Sequence, residues 1–117
     1  MNAFENLVVW QESVQFCADL YLELKNCKDY GFKDQITRAA LSIPSNIAEG
    51  CEHDSEKEML KYLNYAKASS GEVQTQLRIG VLTGFIEKEK GEAWIQRVRK
   101  FSAMIQGLKK SIRANNA

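Results

Sequence analysis

The sequence predicts an all-α fold, an antiparallel four-helix bundle with up-down-up-down topology. Apolar residues recur at alternating three- and four-residue steps in four successive segments, which is the period of an amphipathic helix and not that of a strand. The chain has one proline, and short turn-like segments separate the four patterns. Its 117 residues, 44% of them hydrophobic, suffice to bury a core without disulfides or a structural metal. We therefore expect a single domain over residues 1–117.

The first helix is predicted from about Leu7 to Lys28. Its apolar residues are spaced by four, three, four and three positions, which keeps all of them on one face. This stripe consists of Trp10, Val14, Cys17, Tyr21 and Leu24. The pair Tyr30-Gly31 then indicates a turn before the next helix.

The second helix is predicted to begin near Phe32 and to end near Gly50, because a glycine suits a left-handed C-cap. Its inner face is expected to hold Phe32, Ile36, Ala39, Ala40, Ile43 and Ile47. Pro44 lies inside this pattern and removes the amide that would bond to the carbonyl of Ala40. Since the apolar stripe stays in phase through the proline, we expect a kink there and not a break.

The outer face of the second helix lacks the lysines and glutamates that a monomer normally presents to solvent. Residues 39–48 contain no charge, and this is the longest uncharged stretch of the chain. Four residues point away from the inner stripe on a helical wheel: Thr37, Leu41, Ser45 and Ala48. We expect Leu41, Ser45 and Ala48 to form an interface between copies of the chain in a homo-oligomer.

The third helix begins with a capping box, in which Ser55 and Glu58 each satisfy a backbone amide. Its stripe consists of Met59, Leu63, Ala66, Ser70, Val73, Leu77 and Val81. Small residues weaken a helix of this length. We therefore attribute Ala66, Ser70, Gly71 and Gly80 to the close approach of a neighbouring helix.

Gly84 and the charged run 87–91 are predicted to form the last turn. The fourth helix then shows the most regular stripe, Trp94, Val98, Phe101, Ile105, Leu108 and Ile112. Its heptad-like spacing favours packing at about 20° to its neighbours, as in a bundle.

Little in the sequence indicates catalysis. The only imidazole is His53, which lies in an acidic loop where we expect it to be solvated and without apolar neighbours. Glu49 and Glu72 are expected to form salt bridges with Arg38 or Arg78. No glycine-rich phosphate loop is present, and the three cysteines match no zinc or thioredoxin-like spacing. We expect a protein that is not an enzyme and binds no cofactor or metal.

The sequence also indicates a cytoplasmic location. The ten-residue uncharged stretch is far shorter than the roughly 20 apolar residues of a membrane helix, so no membrane partner is expected. The N-terminus does not resemble a signal peptide. An odd number of cysteines, three, fits a reducing compartment.

Acidic and basic residues are unevenly divided along the chain. Residues 1–58 hold 11 acids and 5 bases, whereas residues 59–117 hold 4 acids and 11 bases. Opposite charges on the two halves would support a head-to-tail contact between subunits of a ring.

The bases are concentrated in the fourth helix, where no acidic residue follows Glu92. A helical wheel groups four polar residues on one side of it: Arg99, Gln106, Lys110 and Arg113. Lys109 lies between that side and the apolar stripe. Two interpretations remain open, a solvated helix face or a surface that binds the phosphates of nucleic acid. The candidate nucleic-acid-binding residues are Arg99, Lys109, Lys110 and Arg113.

The run QITRAALSIPSNIAEG, from Gln35 to Gly50, closely resembles the signature of the bacterial four helix bundle protein family. That family is known for members encoded by intervening sequences within 23S ribosomal RNA genes. The tripeptides at 9–11 (VWQ) and 75–77 (TQL) also resemble family features. The resemblance therefore covers nearly the whole chain.

The resemblance implies a cytoplasmic, non-enzymatic bundle that assembles as a ring, often of five subunits. A more distant likeness of fold, to the accessory variability protein of diversity-generating retroelements, adds nucleic acid and a reverse transcriptase as partners by analogy. Three hypotheses stay open: an oligomeric nucleic-acid-associated protein, a protein-interaction scaffold without nucleic-acid affinity, and an enzyme. The basic edge favours the first, whereas the near-zero net charge and the lack of a stacking aromatic among the bases favour the second.

Overall fold

The structure, a computed structural model, describes residues 3–115 as four α-helices preceded by a short 3-10 turn. The turn is Ala3–Asn6, and the helices are α1 (Val8–Glu23), α2 (Tyr30–Cys51), α3 (Glu56–Thr83) and α4 (Lys88–Asn115). The predicted all-α class and the number of helices are confirmed. None of the described helices is long and apolar enough to cross a membrane.

The helices pack in chain order around one core and form an elongated bundle of 47 × 22 × 21 Å. α3 lies between α2 and α4, and α1 packs against α2 and less extensively against α4. Within residues 3–115 the diagonal pairs, α1 with α3 and α2 with α4, do not pack against each other. Phe16 links α1 to α4 in the core, with its ring centroid 5.7 Å from that of Trp94 and 5.9 Å from that of Phe101, edge-on in both cases. This is the predicted antiparallel bundle.

The predicted core face of α1 is partly wrong. The buried residues are Val9, Ser13, Phe16, Cys17, Leu20 and Leu24, whereas Val14 and Tyr21 are 39% and 46% exposed. α1 carries apolar residues on two adjacent flanks, and the flank with Phe16 and Leu20 turns inward because these side chains have no polar group that burial would leave unpaired, whereas Tyr21 has a hydroxyl. The helix also ends at Glu23, earlier than the predicted Lys28. Its C-cap, Leu24, is still buried, whereas the polar residues Lys25, Asn26 and Lys28 are exposed.

α2 begins two residues before the predicted Phe32. Asp29 is its N-cap, and the Oδ1 atom of Asp29 accepts a hydrogen bond of 3.0 Å from the amide of Phe32. Tyr30-Gly31 therefore lies in the first helical turn and not in a loop. The predicted inner face of α2 is confirmed, with Phe32 partly buried and the other five residues buried. The helix continues unbroken through Pro44, and the kink there stays a prediction.

The predicted end of α2 near Gly50 is confirmed to within one residue, but the predicted left-handed cap at Gly50 is wrong. α2 extends to Cys51, and Gly84 is the glycine with positive φ (82°) among the described residues. A Cβ atom on Gly50 would lie 3.1 Å from the carbonyl oxygen of Met59 and 3.4 Å from the Cβ of Tyr62. The glycine thus allows the start of α3 to approach α2 closely.

The predictions for α3 are largely confirmed. Ser55 caps the helix by accepting a hydrogen bond of 3.1 Å from the amide of Glu58, and Gly84 closes it in the left-handed conformation. A Cβ on Gly80 would lie 2.8 Å from both Phe32 and Ile86, which confirms the predicted close approach at that position. The prediction for Gly71 is wrong, because a Cβ there would meet nothing within 4 Å.

The predicted stripe of α4 is confirmed by its burial. Trp94, Val98, Phe101 and Ile105 are buried, and the two later members of the stripe pack partly buried against the core. α4 starts at Lys88, inside the charged run that was predicted to be a turn.

Candidate nucleic-acid interface

Basic side chains from α3 and α4 meet along the groove between these two helices. The Lys67 ammonium on α3 donates a hydrogen bond of 2.8 Å to the Oε1 atom of Gln106 on α4. Three turns further along α3, Arg78 forms a two-bond ion pair with Glu92, in which the Nη2 to Oε2 distance is 3.1 Å. Around Arg78 and Arg99 the groove holds a volume of about 300 Å³.

We call this surface the α3–α4 groove. Around Arg78 it is lined by Gln74, Thr75, Arg78 and Ile79 of α3 and by Ile95 and Arg99 of α4. By helical spacing, Lys67 and Gly71 continue it on α3, and Gln106, Lys109 and Arg113 continue it on α4. Helical spacing places the α3 members on one face, because they recur at three- and four-residue steps. From Arg99 to Arg113 the groove runs about 21 Å along α4, at a rise of 1.5 Å per residue.

The structure brings the four predicted binding residues together on the flank of α4 that borders α3. Arg99, Lys110 and Arg113 are exposed, and Lys110 lies on the outer rim of the groove. Lys109 is only 8% exposed, consistent with its predicted position between the polar side and the apolar stripe. Its ammonium still reaches the surface. Among residues 3–115, Oε1 of Gln76 is the one side-chain nitrogen or oxygen that is both fully buried and without a hydrogen-bond partner. The Lys109 ammonium, which has no such partner there, is therefore not fully buried.

The electrostatic environment of Lys109 is unfavourable for its charge. Burial lowers the pKa of Lys109, and the nearby cations Arg113 and Lys67 lower it further. Among the described residues, no carboxylate oxygen lies within 4.0 Å of a charged nitrogen of Lys67, Lys109 or Arg113. Three cations therefore share one end of the groove without an ion-pair partner among residues 3–115.

The opposite flank of α4 is neutralised by α1. Three ion pairs connect the two helices: Glu12 with Lys100 (3.9 Å), Asp19 with Arg97 (3.0 Å) and Glu23 with Lys90 (2.9 Å). A hydrogen bond from Gln15 and the pairing with Arg97 hold the pKa of Asp19 below its usual value. Acids that lie far upstream in the sequence thus pair with part of the basic excess of α4.

Sequence reasoning missed Lys67 and Arg78. These residues are eleven positions apart, which is close to three helical turns and places both on the face of α3 that meets α4. The sequence shows that spacing, but it does not show that this face of α3 packs beside α4.

The expected ion pairs of Glu49 and Glu72 are wrong. Arg38 binds Asp34 one turn earlier on its own helix, with an Nε to Oδ2 distance of 2.9 Å, and Arg78 binds Glu92 across the groove. In both cases a nearer carboxylate is available to the guanidinium.

His53 lies in the loop between α2 and α3, as predicted, but it has an apolar neighbour. Its ring stacks on Tyr62 with centroids 5.1 Å apart and an interplanar angle of 6°. Its Nε2 atom is 3.9 Å from a carboxylate oxygen of Glu49. The expectation of an isolated histidine is therefore wrong, because the first turns of α3 pass back beside the loop.

The cysteines are free thiols. Cys17 is buried, as predicted, and burial raises its pKa to about 11. Cys27 and Cys51 are partly buried. Among residues 3–115, no three histidine, cysteine, aspartate or glutamate side chains are grouped so that they could hold a metal ion.

The predicted oligomer interface is exposed in part. Leu41 is 48% exposed, Ser45 is exposed and Ala48 is half-buried. Thr37 does not belong to this outer face, because it is only 5% exposed and its hydroxyl donates a hydrogen bond of 2.7 Å to the carbonyl of Lys33.

Apolar side chains of α1 extend this exposed surface. Val14 and Tyr21 lie on the flank of α1 opposite to the acids that pair with α4, which is the side that faces α2. We call the surface formed by exposed Val14, Tyr21, Leu41 and Ser45 and half-buried Ala48 the α1–α2 face.

Comparisons with known proteins agree with this architecture. A family model described as 23S rRNA-intervening sequence protein matches residues 5–107. A crystal structure from Bacteroides thetaiotaomicron, described as a protein of unknown function from the S23 ribosomal protein family, has the same fold with a TM-score of 0.82. The two sequences are 24% identical over 88% of this chain and 99% of the other. No curated protein matches the sequence. Because the family model matches residues 5–107, which span α1, α2, α3 and most of α4, the chain belongs to the family of 23S rRNA-intervening sequence proteins.

Proposed function

We propose that this protein is a non-enzymatic homo-oligomer that binds nucleic acid through the α3–α4 groove. The observation that carries this proposal is the group of cations in the groove that has no acidic partner among the described residues. The three free cysteines support a location in the cytoplasm, where thiols stay reduced.

The chemistry of the groove suits phosphates and not bases. Lysine and arginine side chains neutralise backbone phosphates and release bound counter-ions, which gives affinity that falls steeply with salt. Such contacts position a strand but carry no sequence information. We therefore expect binding that is largely indifferent to sequence. The family description refers to 23S rRNA, which makes RNA the first ligand to test.

The α1–α2 face supports the oligomeric part of the proposal. Exposed Leu41, Val14 and Tyr21 form an apolar surface on the side of the bundle away from α4. A heterologous contact through this face would build a ring if the rotation per subunit closes, and the family resemblance favours five subunits. Each subunit would then add one α3–α4 groove, so that weak contacts with one long strand act together.

The nucleic-acid part is tested by fluorescence anisotropy with a labelled single-stranded RNA and a single-stranded DNA of equal length. We expect binding at low salt that weakens as salt is raised, because each phosphate contact releases counter-ions. Replacing Arg99, Lys110 and Arg113 together with glutamine should flatten the salt dependence by about 0.7 per contact removed in a plot of log K against log salt. Absence of binding at low salt, or equal binding by the triple variant, would favour the scaffold alternative.

The oligomeric part is tested by sedimentation velocity at micromolar concentration. Leu41→Glu and Ala48→Arg each place a charge in the proposed interface, where an unpaired buried charge is strongly unfavourable. We expect a native oligomer and smaller species for both variants, with unchanged helical circular dichroism. A native monomer, or an unchanged oligomer in both variants, contradicts the proposed interface.

A further inference from the structure

We propose that Lys67, Lys109 and Arg113 form one phosphate-binding subsite at the end of the α3–α4 groove, which anchors a nucleic-acid strand there. This inference rests on the proposed function, because it names the part of the groove that makes the closest phosphate contact. The three residues come from two helices, and the fold brings them to one place.

Contacts with the bundle restrict two of the three cations, Lys67 and Lys109, and the α4 helix places Arg113 beside them. Lys109 and Arg113 are four residues apart and therefore lie on successive turns of one α4 face. Gln106, one turn before Lys109, accepts the hydrogen bond from the Lys67 ammonium at 2.8 Å and so fixes Lys67 against α4. The stem of Lys109 is buried against the core, which restricts its ammonium to the floor of the groove.

Several bases of α3 and α4 form no ion pair among the described residues, and Lys67 and Arg113 are the two cations that act on the charge of Lys109. Arg78, Lys90, Arg97 and Lys100 each pair with a carboxylate of a neighbouring helix. Lys67, Lys109 and Arg113 have no such partner among the described residues, and they raise one another's electrostatic potential. Burial, and after it the nearby Arg113 and Lys67, lower the pKa of Lys109, and a bound anion would favour its charged form again.

The combination of side chains fits a phosphate oxyanion. Lysine acts as a compact point charge, and arginine offers parallel donors to two oxygens of the same phosphate. A phosphodiester in a strand supplies those oxygens, and free inorganic phosphate presents the same chemistry. The two sources are separated by the experiment, which uses RNA in one arm and phosphate alone in the other.

The RNA arm compares native protein with Lys67→Met and Lys109→Met in salt-titrated anisotropy. Lys28→Met is the matched control, because Lys28 is an exposed lysine in the loop between α1 and α2, at the other end of the bundle. We expect each subsite variant to lower the affinity severalfold at low salt and to reduce the salt slope by about 0.7, whereas Lys28→Met leaves both unchanged. Equal effects of all three variants would overturn the subsite while leaving binding by the groove intact.

The phosphate arm measures the thermal unfolding midpoint in phosphate and in chloride at equal ionic strength. We expect phosphate to raise the midpoint of the native protein and of Lys28→Met but not that of Lys67→Met, because a ligand that binds only the folded state stabilises it. Native protein that binds no RNA but is stabilised by phosphate through Lys67 would refute the proposed function and retain the subsite. Native protein that is no more stable in phosphate than in chloride, or Lys67→Met that is stabilised as much as the native protein, would overturn the subsite. Lys67 is only partly buried, so this variant remains informative if Lys109→Met folds poorly.

Discussion

Lys109 combines burial with a positive charge that two neighbouring cations oppose. A lysine in this environment makes the folded state less stable than an apolar residue of similar length would. Residues of this kind are common at binding sites, where the arrangement that suits a ligand is unfavourable without it. Lys109 is thus the residue at which stability and the proposed function conflict.

The pH dependence of folding stability tests this account of Lys109. The pKa of Lys109 is lowered in the folded state from its ordinary value of 10.5. Between the lowered pKa of the folded state and 10.5, Lys109 binds more protons in the unfolded chain than in the folded one. The free energy of unfolding therefore rises with pH in this range. Lys109→Met should therefore be more stable than the native protein at pH 7, and the difference should shrink at alkaline pH. Urea unfolding of both proteins from pH 7 to pH 10.5 measures the difference in their free energies of unfolding. A variant that is less stable than the native protein at pH 7 contradicts the account.

At the scale of the helices, two glycines of α3 differ in their surroundings. Gly80 is required by close packing, since a Cβ there would lie 2.8 Å from Phe32 and Ile86. Gly71 faces open space in the α3–α4 groove. A glycine inside a helix lowers the stability of the helix. Close packing offsets this loss at Gly80, and no packing contact offsets it at Gly71.

Two alanine substitutions in α3 test this difference. Gly71→Ala should stabilise the fold by about 0.5–1 kcal/mol, the difference in helix propensity between the two residues. Gly80→Ala should destabilise it by about 1–3 kcal/mol through overpacking. Urea unfolding of both variants gives the two values, and stabilisation by Gly80→Ala would show that the helices can separate there at little cost.

How far the sequence predicts an element depends on how many of its faces are apolar. α3 and α4 each have one apolar stripe, so the period alone identifies their core residues. α1 has two apolar flanks, and the regular spacing of Val14 and Tyr21 belongs to the exposed one. Gly50 was misassigned for a related reason, because a helix-ending glycine and a close-packing glycine look alike until the neighbouring helix is placed.

At the scale of the whole molecule, part of the opposite charge of the two halves is paired within the chain. Three ion pairs connect α1 to α4, which are the neighbouring helices that pack least extensively against each other. The sequence predicted the charge asymmetry and the basic side of α4. It could not predict Lys67 and Arg78 as neighbours of that side, because their contribution depends on α3 packing beside α4.

The central claim is that nucleic acid lies in the α3–α4 groove, and photo-cross-linking from within the groove tests it most directly. A benzophenone amino acid at position 71 replaces a glycine with no atom within 4 Å of its Cβ position, so the bundle should accept it. The same amino acid at position 26, an exposed site in the loop between α1 and α2 at the other end of the bundle, is the control. With a labelled single-stranded RNA at low salt, the account predicts cross-linking from position 71 and little from position 26. Equal cross-linking from both positions, or none from position 71 in a protein that still binds RNA, would contradict it.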